Sequence, residues 1–148
     1  MAIRSRASLV GLLVSFLAVS GCNYPMDAEG TTRTVVETGI LRSGLVAGSD
    51  QGAGARHAIE ALARDIEAQP SLTKGTAENL MRMLEHGELD IVVGDFAGNS
   101  PWSKRVILTS SPMAGDPRKD MPVLRGALRQ GENRWYMFVE RSFASARS

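Results

Sequence analysis

From residue 40 onward, apolar positions alternate between runs of strand length and stripes of helical spacing. "ILRSGLVAGSD" carries Ile40, Leu41, Leu45 and Val46 up to a Gly-Ser-Asp turn, which predicts a strand at about 40–47. In "HAIEALARDIEAQ", Ile59, Leu62, Ala63 and Ile66 recur at i, i+3, i+4 and i+7. That is one face of a helix, which Pro70 is expected to close. Thr76 is placed to cap a second helix whose inner stripe is Ala77, Leu80, Met81 and Leu84, with Gly87 as its left-handed end. Between the two helices "PSLTK" leaves little length for a strand. "LDIVVGDF" is continuously apolar at Ile91, Val92 and Val93, the pattern of a strand covered on both faces. Two further strands are expected in "RVILTS" (105–110) and "MPVLRGALRQ" (121–130). Trp135, Phe138 and Val139 mark the apolar stripe of a closing helix. The order strand, helix, helix, strand, strand, strand, helix predicts an α/β fold with at least one parallel crossover.

The first residues follow different rules. Arg4 and Arg6 precede an apolar run of 11 residues, Leu9 to Val19. That run is too short for a bilayer, which takes roughly 20 apolar residues, and it has the length of a secretory signal. It ends in "VSGC", where small residues precede Cys22, the one cysteine of the chain. The stretch resembles the lipobox of bacterial lipoproteins, which implies cleavage after residue 21 and acylation of Cys22 by palmitate-type chains. The expected organisation is a signal peptide at 1–21, a polar tether at 22–37 ("NYPMDAEGTTRTVVE" within it) and one domain at 38–148. The compartment implied is the cell envelope, on the periplasmic side of a membrane.

Charge narrows the partners. Losing Arg4 and Arg6 with the signal leaves 15 of the 17 basic residues against 16 acidic ones, a formal charge of −1. Neither nucleic acid nor a polybasic attraction to lipid fits that balance. The chemistry of an enzyme is also missing. His57 and His86 fall at a helix start and a helix end, with no serine or cysteine nucleophile motif beside them. Asp90 and Asp95 stand five apart on one strand, on opposite faces. No cluster has metal-ligand spacing, and "GSDQGAGAR" lacks the Gly-Lys-Ser/Thr of a phosphate loop. A non-catalytic protein without metal or cofactor is expected.

Three stretches together carry a resemblance. They are "GILRSGLVAGSD", the run "GTAENLMRMLEHGELDIVVGDF", and "SPWSKRVILTSSP". They resemble the first lobe of type 2 periplasmic solute-binding proteins, the amino-acid-binding class. Gly39, Ile40, Leu41, Arg42 and Gly44 fit the opening strand of that family. Gly87, Leu89, Asp90, Ile91, Val92, Val93 and Gly94 fit its Leu-Asp-apolar-Gly strand, and Leu108, Thr109 and Pro112 the strand that ends in proline. The resemblance implies one lobe of that fold, a single open mixed or parallel sheet flanked by helices. Two departures stand out. "MAGDPRKDM" occupies the place where the family inserts a whole second lobe. Trp102 stands where the family carries an arginine for a ligand carboxylate.

The ligand crevice of an open α/β sheet lies beyond the carboxyl ends of its strands. Two loops should meet there, one with Ser49, Asp50 and Gln51, the other with Asn99, Ser100 and Trp102, and Lys104 and Arg105 close by. These eight residues are the expected solute rim. The implied function is a lipid-anchored receptor or accessory of a membrane transporter, taking a small amino-acid-like solute. The alternative is a degenerate lobe that no longer binds solute and docks on a transporter subunit or another protein. A homodimer could rebuild a two-sided cleft.

Overall fold

The computed structural model describes residues 26–49, 53–111 and 120–146. The signal peptide, Cys22, Asp50 and Gln51 lie outside the described residues. Within them the chain runs α1 (Thr31–Thr38), β1 (Ile40–Val46), α2 (Gly54–Asp65), β2 (Gln69–Gly75) and α3 (Ala77–Glu85), then β3 (Ile91–Phe96). A 3-10 turn (Pro101–Lys104), β4 (Val106–Leu108), β5 (Val123–Arg129) and α4 (Asn133–Ala146) follow. The five described strands form one sheet in the order β2-β1-β3-β5-β4. β1 is parallel to β2 and β3, and β5 is antiparallel to both β3 and β4, so the sheet is mixed.

The continuous apolar run of β3 is covered on both faces. Ile91 and Val93 pack with Leu41 and Leu45 under α1, α2 and α4, in a cluster that includes Val35, Leu62, Trp135 and Phe143. Val92 and Phe96 face the other way, with Leu80, Met81 and Leu84 of α3. On this face Gly44 has no room for a side chain, crowded by the entry to β3 and, at 3.3 Å, by Leu80 of α3. A Cβ there would lie 2.9 Å from Leu89 and 3.1 Å from Val92. Thr76 caps α3 by accepting the Asn79 N–H, and Gly87 takes the left-handed conformation (φ 75°) that turns the chain into β3.

Three elements differ from the sequence expectation. First, the expected tether at 22–37 holds α1, with Val35 fully buried. The carboxylate of Glu132, itself buried, accepts the backbone N–H groups of Glu29 and Thr31 and so supplies the helix start with an anion. Second, α2 stops at Asp65, not at Pro70: Glu67 turns left-handed (φ 57°) and Pro70 lies inside β2. β2 is an edge strand, where a residue without an N–H is tolerated. Third, Phe138 of α4 is half-buried, stacked on Trp135 at 5.9 Å, while Phe143 enters the core.

At the edge where β1 and β3 begin, Arg42 and Asp90 interlock. The Asp90 carboxylate is wholly buried and accepts the backbone N–H of Arg42 as well as its Nε and Nη2 groups. The remaining fork of Arg42 donates to the Gly87 carbonyl at 2.7 Å. The hydrogen bond to Asp90 holds the Arg42 pKa above its ordinary value, against the opposing effect of burial. A raised pKa means that whatever stability it contributes is complete below the usual arginine range and is lost only in extreme alkali.

Candidate functional site

The carboxyl edge of the sheet is assembled by β1, β3 and the turn out of β4. Ser49, three residues past β1, accepts the backbone N–H of Asp95 through its Oγ at 2.9 Å, across 46 positions of sequence. The loop after β1 is therefore tied to the carboxyl end of β3, its neighbour in the sheet. α2 starts at the same edge, since it follows the loop after β1. Asp95 is exposed there, and Asn99 and Ser100 leave β3 from it. Ser100 accepts the Trp102 N–H and opens the 3-10 turn.

Lys104 and Arg105 do not belong to this edge. β3 and β4 run in the same direction because both are antiparallel to β5 between them. The chain must therefore travel back along the sheet from 97 to 105 before β4 can start. Val106 pairs with Arg129, which lies beyond the Val92–Ala127 pair at the level of Asp90. Five strand residues separate that level from Asp95, about 17 Å. Arg105 accordingly pairs with Glu85 at the end of α3, and the Lys104 carbonyl accepts from Gln130. Trp102 sits on the returning segment, half-buried on the α3 side of the core, with the Arg105 guanidinium 5.5 Å from its ring centre. Its place is that of a cover over the sheet, in keeping with a cation–π contact that ties it to Arg105.

A residue that the sequence reading passed over replaces them. Arg125 lies opposite Gly94 on β5 and reaches over the strand ends. Its Nε donates to the Phe96 carbonyl at 3.2 Å and its Nη1 to the Thr109 carbonyl at 2.8 Å. A guanidinium thus stands at the carboxyl edge, between the exits of β3 and β4. The signal for it was a cation inside an otherwise apolar strand, "VLRGALR", but its edge depends on a register that one sequence does not fix. Ser110 completes this side, its backbone N–H donating to Glu140 of α4. Both histidines are exposed, His57 on α2 and His86 at the end of α3. Among the described residues no group of three or more His, Cys, Asp or Glu side chains could hold a metal, and no helix is long and apolar enough to cross a membrane.

The sequence matches no protein-family model and no curated protein. Solved structures do resemble it. The arginine-bound form of domain 1 from TmArgBP superposes with a TM-score of 0.65 at 15% identity, over 76% of this chain and 97% of that one. A point mutant of the same domain gives 0.66 at 14% identity, over 77% and 96%. An ancestral cationic amino acid solute-binding protein, AncCDT-1, gives 0.61 at 13% identity, over 78% and 93%. The chain has the fold of one lobe of a type 2 periplasmic solute-binding protein. The sequence expectation of a single lobe with one open sheet, mixed or parallel, holds, and the sheet is mixed.

Proposed function

We propose that this chain is a single-lobe, lipid-anchored solute-binding protein that takes a small amino-acid-like solute at the carboxyl edge and serves a membrane transporter. The observation that carries the reading is the Ser49–Asp95 bond, which draws the two strand exits into one rim. At that rim Arg125, on the face it shares with Gly94, offers a cation to a carboxylate, while the exposed Asp95 projects to the other face of the sheet. Of the eight rim residues expected from sequence, Ser49, Asn99 and Ser100 stay in the proposal. Asp50 and Gln51 follow Ser49 in the chain and are kept as candidates. Trp102, Lys104 and Arg105 leave it. A separate domain described as arginine-bound among the neighbours supports binding by a lobe alone.

The test is a titration of the mature chain with free amino acids, read by calorimetry and by amide shifts. Binding should move the amides of Ser49, Asp95, Asn99 and Arg125. Arg125→Lys keeps the charge but loses the planar fork, and should weaken a carboxylate ligand by about 1.5 kcal/mol or more, at least tenfold. Affinity unchanged by Arg125→Lys would remove the carboxylate from this edge. If no amino acid moves any rim amide, the solute reading gives way to the docking-lobe alternative.

The anchor rests on "VSGC" behind a short apolar segment. Wild-type protein should partition into the detergent phase of a phase-separation assay, and Cys22→Ser into the aqueous phase. A wild-type chain already in the aqueous phase ends the lipoprotein reading, and with it the palmitate, the membrane and the envelope-side placement.

A further inference from the structure

On the side of the molecule that carries α1 and α4, an open groove of about 480 Å³ runs between the two helices. Its walls are Val36, Ile66, Met137 and Phe138, and its charged lining residues are both arginines, Arg134 and Arg141. Val36 is 60% exposed and Met137 48%, on neighbouring helices. Single exposed apolar residues are ordinary, but a contiguous apolar trough rimmed by cations marks an interaction face.

The chain's exit decides what covers it. The Met26 carbonyl accepts the N–H of Asn133, and the Asp27 carboxylate accepts the N–H groups of Thr32 and Trp135. The N-terminal segment is therefore pinned where α1 and α4 both begin, at one end of the groove, and Met26 itself is 74% exposed. Four residue steps separate Met26 from Cys22, a reach of about 14 Å at full extension. Acyl chains on Cys22 would sit beneath headgroups that occupy roughly 5–7 Å per leaflet. That leaves at most about 7–9 Å between Met26 and the headgroup surface, which keeps the end of the body where α1 and α4 begin beside the lipid.

We propose that the α1/α4 groove is the membrane-contact face of the lipid-anchored chain. Val36 and Met137 reach the boundary between headgroups and acyl chains, and Arg134 and Arg141 meet anionic headgroup phosphates. The chain's near-neutral charge gives it no general attraction to lipid, so the anchor supplies the effective concentration and the groove supplies the orientation. The carboxyl edge then lies at the far end of the strands from the anchor's exit and stays open to water. The proposal rests on acylation of Cys22, and its test separates the two.

Because acylation consumes the one native thiol, Val36→Cys, Met137→Cys and Asn99→Cys each give the acylated full-length chain a single site for a nitroxide. The labelled proteins are reconstituted into vesicles of phosphatidylethanolamine and phosphatidylglycerol, floated, and probed for collisions with oxygen and with a nickel chelate. The ratio of oxygen to nickel collisions should be several-fold higher at 36 and 137 than at 99. Equal ratios at the three positions in floated protein overturn the membrane face and leave the anchor standing. Spectra broadened by spin–spin coupling at 36 or 137 would assign the groove to a second copy and also overturn it. Protein that fails to float removes the anchor and this inference together.

Discussion

Trp135→Ala is expected to cost most of the stability of this fold. The indole is fully buried between α4 and the sheet, in the cluster that joins α1, α2 and α4 to β1 and β3. Removing such a side chain typically costs 3–5 kcal/mol in lost transfer energy and cavity. A second loss adds to it. The indole Nε1–H donates to the Asp90 carbonyl at 2.9 Å, and a buried carbonyl left without its donor costs about 1–3 kcal/mol more. Small domains unfold with about 5–15 kcal/mol in total, so the variant should be largely unfolded or close to it at room temperature.

Partial replacements divide that loss. Trp135→Phe keeps an aromatic against Phe138 but not the bond to Asp90, and should cost about 2 kcal/mol. Phe138→Ala should cost less than Trp135→Ala, since Phe138 is only half-buried beside the groove. Urea unfolding followed by circular dichroism ranks the three. A Trp135→Ala protein whose midpoint stays within 1 M of wild type would show that α4 is not part of the cooperative unit, since urea slopes are about 1–3 kcal/mol per M.

What the sequence made legible follows from locality. β1, α3 and β3 have their signals in or directly beside their own residues: for α3 a cap at Thr76 and a left-handed glycine at Gly87, for β3 the unbroken Ile91-Val92-Val93 run. α1 does not. "TTRTVVET" is dominated by β-branched residues that favour strands, and the carboxylate at its start comes from Glu132, 101 positions away. β2 was hidden by Pro70, which halts a helix or a central strand but is harmless at a sheet edge. The rim divides in the same way. That β1 and β3 should be neighbours with their exits at one edge follows from the general rule for open sheets, and the Ser49–Asp95 bond ties the loop after β1 to the end of β3. That Lys104 and Arg105 fall at the opposite edge depends on β5 lying between β3 and β4, a long-range pairing with no local signature.

The second large effect is expected at the pair that opens β1 and β3. Asp90→Ala removes an acceptor that holds three donors of one residue, the backbone N–H, Nε and Nη2 of Arg42. The carboxylate is wholly buried, whereas the arginine is about a third exposed (36%). That asymmetry sets the sign of the comparison between variants. Deleting the buried partner of such a pair typically costs 3–5 kcal/mol when the other charge is left without compensation. Here Arg42 can turn part of its guanidinium to water and keep its bond to the Gly87 carbonyl, so the lower end of that range, about 3 kcal/mol, is expected. Arg42→Ala strands the charge of Asp90 in the interior with the backbone N–H of residue 42 as its remaining donor from that position, and should cost more. Replacing both residues with apolar ones of similar size (Arg42→Met with Asp90→Leu) removes the stranded charge. The double variant should then be more stable than the single Arg42→Met. A complete cycle of urea unfolding measurements gives the coupling energy. A coupling below about 0.5 kcal/mol, the size at which distant sites simply add, would mean that the interlock at this edge is held by its backbone bonds and that the ion pair contributes nothing.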